Sequence, residues 1–280
     1  MTYPGGDYGW SVSDAINQIN IAPNLYGNMP FQVTKGNHDI GYEYSATDPV
    51  SSDNLIQPPS EHYTKGMIWF DKLLHYNLPG LKTAVHRYDS NDTTDYYSHY
   101  YSFDYGSVHV SVLDYENLFK YCNTKDTAYV GKQLRWLVND LKATTKIWKV
   151  LMVHAYDEFQ SGYSIPFNYG GIFTDNTIRT TKLILDAIVS KEKVTVVLDG
   201  HYHWNCQDTI VSNGGKNYFH LRSSVGGQQW APTSPQAFVR AYWKFTFNGN
   251  SLTCLRLDTL NKITLTRKFK LDPTLNIVNQ

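Results

Sequence analysis

The sequence predicts an α/β fold, and three observations carry that expectation. Apolar runs of strand length occur at Phe31-Gln32-Val33, Val108 to Leu113, Trp148 to Val153 and Val194 to Leu198. Between the last three lie helix-spaced apolar residues: Leu134, Leu137, Val138 and Leu141, then Ile184, Ala187 and Ile188. Asp175 or Asn176 is the expected cap of the second helix. The chain then changes character. Tyr218 to Leu221, Ala237 to Phe247, Leu252 to Leu257 and Ile263 to Phe269 read as strands, with Asn248-Gly249 as a hairpin turn. Parallel units should therefore come first, with antiparallel strands from about 218 to 270 ending the chain.

A chain of 280 residues that is 41% hydrophobic and 18% charged is long enough to bury a sizeable core. We expect a single domain over 1–280, since the Ser-, Pro- and Asp-rich stretch 48–60 reads as a loop inside a domain. Formal net charge is zero, which removes any general electrostatic case for a nucleic-acid or membrane-surface partner. No apolar run is long enough to span a bilayer as a helix. The opening Met-Thr-Tyr-Pro-Gly-Gly-Asp has neither the basic region nor the apolar stretch of a signal peptide. The three cysteines, Cys122, Cys206 and Cys254, show no paired spacing, which argues against a disulfide framework or a structural zinc site. Abundant tyrosine and the sequon Asn91-Asp92-Thr93 fit an extracellular or lumenal protein, although one sequon arises by chance in most chains of this length.

Three expected strands run into histidine-bearing segments. Pro30 to Lys35 leads to Gly36-Asn37-His38-Asp39, Lys149 to Val153 leads to His154, and Val194 to Asp199 leads to Gly200-His201-Tyr202-His203. Ligands of open α/β sheets sit beyond the carboxyl ends of strands, so the three segments are candidates to converge. In an extended segment His201 and His203 face the same way. Imidazoles with an amide oxygen suit zinc, iron or manganese better than soft metals. Each feature also has an ordinary explanation. A lone histidine after an apolar strand is usually structural, exposed strands often carry His-x-His, and an Asn-rich segment is often just a turn. Three together, each after an apolar strand, are poorly explained by chance.

These motifs resemble the calcineurin-like metallophosphoesterases. The stretch Tyr101-Ser102-Phe103-Asp104-Tyr105-Gly106-Ser107-Val108-His109, with Gln133-Leu134-Arg135-Trp136-Leu137, is similar to purple acid phosphatases in particular. The resemblance implies a four-layer αββα sandwich of two mixed sheets flanked by helices, and a phosphoester hydrolase that takes small phosphate esters. Its cofactors would be two metal ions, iron paired with zinc, manganese or iron. It assigns Asn37, His154 and His201 to the second metal and His203 to the first. His38 would stabilise charge or donate a proton, oriented by Asp39. Full-length relatives of this type would be secreted or lysosomal.

The chain departs from the family pattern at its start. No Asp-x-His precedes Gly36, and Gly6-Asp7 is the one Gly-Asp upstream. Two registers are open. In one, Asp7 bridges the metals. In the other, which we favour, the bridging Gly-Asp stands just before Met1 and Tyr3 completes Gly-Asp-x-x-Tyr as a first-metal ligand, so that the fold is N-terminally incomplete. Weak or single-metal binding and slow turnover are then expected. After His154 the family's further histidines are replaced by Ala155-Tyr156-Asp157-Glu158-Phe159. The competing readings are a phosphodiesterase or nucleotidase of the same superfamily, a non-catalytic relative, and a carbohydrate-binding module, which would explain the tyrosines but not the histidines.

Overall fold

The computed structural model describes residues 100–114, 127–156, 164–169, 173, 178–200, 207–222, 241–258 and 260–280. The expected strand at Phe31 to Val33 lies outside them. Two main sheets are built from strands β1 (Tyr101–Tyr105), β2 (Val108–Val112), β3 (Trp148–Met152), β6 (Val196–Asp199), β7 (Gln207–Asn213), β8 (Lys216–Arg222), β9 (Ala241–Asn248), β10 (Ser251–Asp258), β11 (Ile263–Leu271) and β12 (Ile277–Asn279). The first sheet has the order β1-β2-β3-β6-β8-β7 and the second β12-β11-β10-β9. A short ribbon pairs β4 (Ser164–Pro166) with β5 (Ile178–Thr180). Helices α1 (Thr127–Ala143) and α2 (Thr181–Lys191) precede β3 and β6.

The β2, β3, β6 and β8 pairings are all parallel. Their side chains alternate between two cores, as the period of two in a strand requires. Val108, Val110, Val112, Trp148, Val150, Met152, Val196, Leu198, Phe219 and Leu221 join Leu252, Cys254, Phe269, Leu271 and Ile277 between the two sheets. Leu113, Leu151, Val153, Val197 and Tyr218 join α1 and α2 on the opposite face. Burial on both faces explains why 150–153 and 196–198 read as continuous apolar runs; β2 alternates, because His109 and Ser111 are buried against Asp140. Three of the four expected layers, helices on sheet on sheet, are therefore in place among the described residues. No helix among them is long and apolar enough to cross a membrane.

Polar contacts fix how the sheets meet. The Trp148 indole N–H donates to the carbonyl of Gly249 in the β9–β10 turn at 2.8 Å. At the same end the Lys216 ammonium donates to the Leu275 carbonyl, and at the other end the Arg267 guanidinium reaches Asp208 Oδ2 at 2.9 Å. Lys149 does the same for the helices. Its ammonium donates to the Leu141 carbonyl near the end of α1 (2.6 Å) and to the Glu192 carbonyl at the end of α2 (2.9 Å). One half-buried cation thus satisfies carbonyls that two helices leave open.

Three local expectations change. The cap of α2 is Thr180, whose hydroxyl accepts from Leu183 N–H at 3.3 Å, and not Asp175 or Asn176, which lie outside the described residues. Eleven residues are too few for a stable isolated helix, so α2 depends on this cap and on its buried Ile184, Leu185, Ile188 and Val189. The β9–β10 hairpin forms with Asn248 opposite Ser251, so its two turn residues are Gly249 and Asn250, with Gly249 at φ 56° as a II′-like turn requires. The strand over Tyr218 to Leu221 does exist but belongs to the first sheet: it is antiparallel to β7 and parallel to β6. Among the described residues the antiparallel second sheet starts at Ala241.

Candidate metal-binding strand ends

The C-terminal ends of β3, β6 and β8 lie side by side. The β3–β6 ladder runs on past the strands through Val153 N–H to the Leu198 carbonyl (3.1 Å) and Gly200 N–H to the His154 carbonyl (2.8 Å). His154 is 1% exposed. Its backbone is therefore joined to the residue that precedes His201 in the sequence. This is the part of the expected convergence that the described residues contain. Asn37, His38, Asp39, Tyr3, Asp7, His201 and His203 lie outside them, and among the described residues no cluster of three or more candidate ligands occurs.

Beneath these strand ends lies a charged group that sequence reasoning missed. Asp199, the last residue of β6, is 1% exposed. Its Oδ2 accepts from Tyr156 N–H at 3.0 Å and from Arg222 Nη2 at 3.1 Å. Arg222 ends β8 directly opposite Asp199 in the parallel register and is 3% exposed. His220, two residues earlier on the same face, brings Nε2 to 3.2 Å from Asp199 Oδ1, within ion-pair distance but not aligned as a hydrogen bond. An isolated buried carboxylate would be costly, so the Arg222 guanidinium is what permits Asp199 here. Tyr156 extends the connection outward. Its hydroxyl donates to Asp186 Oδ1 on α2 at 2.8 Å, and Lys182 pairs with the same carboxylate at 2.6 Å. Burial, with Asp186 beside it, pushes the Tyr156 hydroxyl well above the ordinary phenol range, so it stays neutral and donating.

The β2 end is held differently. Gln133 of α1, fully buried, accepts from Asp114 N–H (2.9 Å) and donates to the Asp114 carbonyl (3.3 Å). This gives a physical role to the Gln133 of the Gln-Leu-Arg-Trp-Leu motif: it fixes the backbone just past β2 to the helix.

At the opposite end of the same sheet face, His109 on β2 sits between two carboxylates, Asp140 Oδ2 at 2.8 Å and Asp104 Oδ1 at 2.7 Å. Asp140, on α1, also accepts from Ser102 (2.6 Å) and Ser111 (2.7 Å). Burial acts to lower the His109 pKa, but its hydrogen bonds and attraction to Asp140 and Asp104 outweigh that and leave it above the ordinary 6.5. Burial likewise acts to raise Asp140, and its bonds to His109, Ser102 and Ser111 hold it below the ordinary 3.8. Serine, histidine and aspartate meet here without forming a nucleophile. Both ring nitrogens face carboxylates and neither faces a hydroxyl, so the group locks helix to sheet and has no base available.

No family model matches the sequence, and no curated protein matches it either. Among solved structures the chain is similar to purple acid phosphatase PPD1 from yellow lupin (Lupinus luteus) seeds, with a TM-score of 0.57 at 13% identity, over 98% of this chain and 47% of that one. The chain thus spans about half the length of the lupin protein. It is also similar to a dimetal phosphatase from Danio rerio, with a TM-score of 0.48 at 10% identity, over 87% of this chain and 72% of that one. The two packed sheets, the helices on the outer face of the first, and the match to the lupin structure together show that this chain has the calcineurin-like metallophosphoesterase fold.

Proposed function

We propose that the chain is a metal-dependent phosphoesterase of the acid phosphatase type, hydrolysing phosphate monoesters at a dinuclear metal site. The observation that supports this most is the buried His154 at the end of β3, bonded through its carbonyl to Gly200 at the end of β6. It stands at the carboxyl edge of a parallel sheet in a fold shared with a purple acid phosphatase. The donor chemistry fits such ions: buried imidazole, further imidazoles directly after Gly200, and an asparagine amide suit zinc, iron or manganese.

In this reading Asn37, His154 and His201 hold the second metal, and His203 and Tyr3 hold the first. Bound there, the two ions supply charge neutralisation for the phosphoryl oxygens and a lowered pKa for the attacking water. His38 holds a proton near the phosphate, to stabilise charge or to release it to the leaving oxygen, and Asp39 keeps its ring oriented. The sheet supplies rigidity, because the His154 backbone is set by a β-ladder and not by a free loop.

The test is to strip the protein with a chelator, restore zinc, manganese or iron, and compare p-nitrophenyl phosphate with its bis ester. Metal-restored hydrolysis that favours the monoester is expected. Preference for the bis ester would replace this reading with the phosphodiesterase one. No metal-dependent hydrolysis of either ester would favour the non-catalytic one.

A further inference from the structure

Other polar groups in the described residues have a local structural use: buried Asp140 locks α1 to β1 and β2, and half-buried Lys149 closes two helices. Asp199 differs, because what it holds lies at the candidate site. The end of β6 grips the segment around His154 from two sides. Gly200 N–H binds the His154 carbonyl at 2.8 Å, and the Asp199 carboxylate accepts from the Tyr156 N–H two residues further on at 3.0 Å. Asp199 is in turn fixed from β8 by Arg222, with His220 Nε2 3.2 Å from its other oxygen.

The β-ladder alone would leave Ala155 and Tyr156 free to turn away once β3 ends. A side-chain acceptor on the neighbouring strand removes that freedom. Val197 and Asp199 lie on the helix face of β6, and His220 and Arg222 on the helix face of β8, so all the charged members approach from below the strand ends.

We infer that Asp199, held by Arg222, is a positioning residue that clamps the His154–Tyr156 segment to the end of β6 and so sets the placement of His154 relative to the residues that follow Gly200. Its effect on metal binding rests on the function proposed above; the clamp itself does not. Outer partners that orient ligands typically contribute 10–100-fold in metal affinity, and that is the size of effect expected of Asp199.

The experiment compares the full chain with Asp199→Ala, Asp199→Asn and Val138→Ala. The last is a buried α1 substitution that lowers stability and removes none of the hydrogen bonds of Asp199, Arg222 and Gly200. Two readouts are taken: amide hydrogen exchange at Tyr156 and Gly200 without metal, and affinity for Co²⁺ followed through its visible spectrum. In Asp199→Ala the two amides should exchange about 10-fold faster than in Val138→Ala. Co²⁺ affinity should fall by about 10–100-fold, with a changed spectrum, while Val138→Ala binds as the unaltered chain does. Asp199→Asn keeps an acceptor for Tyr156 N–H and should fall between; it also serves as the test if the alanine variant does not fold. Exchange at the two amides equal to that of Val138→Ala overturns the clamp, and an equal Co²⁺ affinity overturns its part in placing His154. An unaltered chain that takes up no Co²⁺ overturns the proposed function instead, and the exchange comparison then decides the clamp alone.

Discussion

Replacing Asp140 by alanine should lower the free energy of unfolding by about 3–5 kcal/mol, the usual cost of removing one partner from a buried charged pair. The change strips the acceptor from three groups at once, Ser102, His109 and Ser111, and leaves His109 fully buried beside Asp104 alone. Domains of this kind are stable by about 5–15 kcal/mol, so the loss is a large part of the total. The sign with pH follows from the two shifts. His109 is raised from 6.5, so its contribution is full below that value and is lost as pH rises through its folded pKa. Asp140 is lowered from 3.8, so its contribution is full above that value and is lost as pH falls through its folded pKa. The gap between the two proteins should therefore be widest between about pH 4 and 6.5 and narrow in alkali. Urea unfolding across pH checks this; a loss under about 1 kcal/mol, the range of an exposed pair, would show that the network is not stabilising.

Replacing His154 by alanine should reduce metal affinity by on the order of 100-fold or more, beyond the 10–100-fold typical of residues that only orient a ligand. The substitution sits two residues past β3, where the fold is carried by backbone ladders to β2 and β6 that alanine leaves intact: Leu113 N–H to the Met152 carbonyl (2.9 Å) and Gly200 N–H to the His154 carbonyl (2.8 Å). The variant should therefore stay folded while losing its metal. Titration of zinc or manganese into the stripped proteins, with a melting curve for each, separates the two effects. Unchanged affinity would make His154 a structural histidine of the ordinary kind.

The parallel strands were legible because burial on both faces leaves nearly uninterrupted apolar runs, as in 148–153 and 194–198, and because β2 keeps a valine at every second position. The β9–β10 turn was legible from Asn248-Gly249. Strand β7 was not: Gln207-Asp208-Thr209 is polar, as suits a sheet edge, and gives no periodic signal. The sheet to which Tyr218 to Leu221 belongs was not legible either, because membership is decided by pairing with β6 some twenty residues earlier and by no local property. The same reason hid the charged groups. Asp199 and Arg222 look like unrelated surface residues until the register puts them opposite each other. Asp140 looks like the polar face of α1 until the helix is laid on Ser102, His109 and Ser111. Of the candidate site, the sequence marked His154 and the approach to His201 through Gly200. It did not show what holds them in place.

The most direct measurement is anomalous X-ray scattering at the zinc edge from crystals grown with zinc. A peak is expected at the carboxyl ends of β3 and β6, about 2.1 Å from a His154 ring nitrogen. A peak elsewhere, or His154 clear of any metal in zinc-loaded crystals, would contradict a metal-dependent phosphoesterase built on these strand ends.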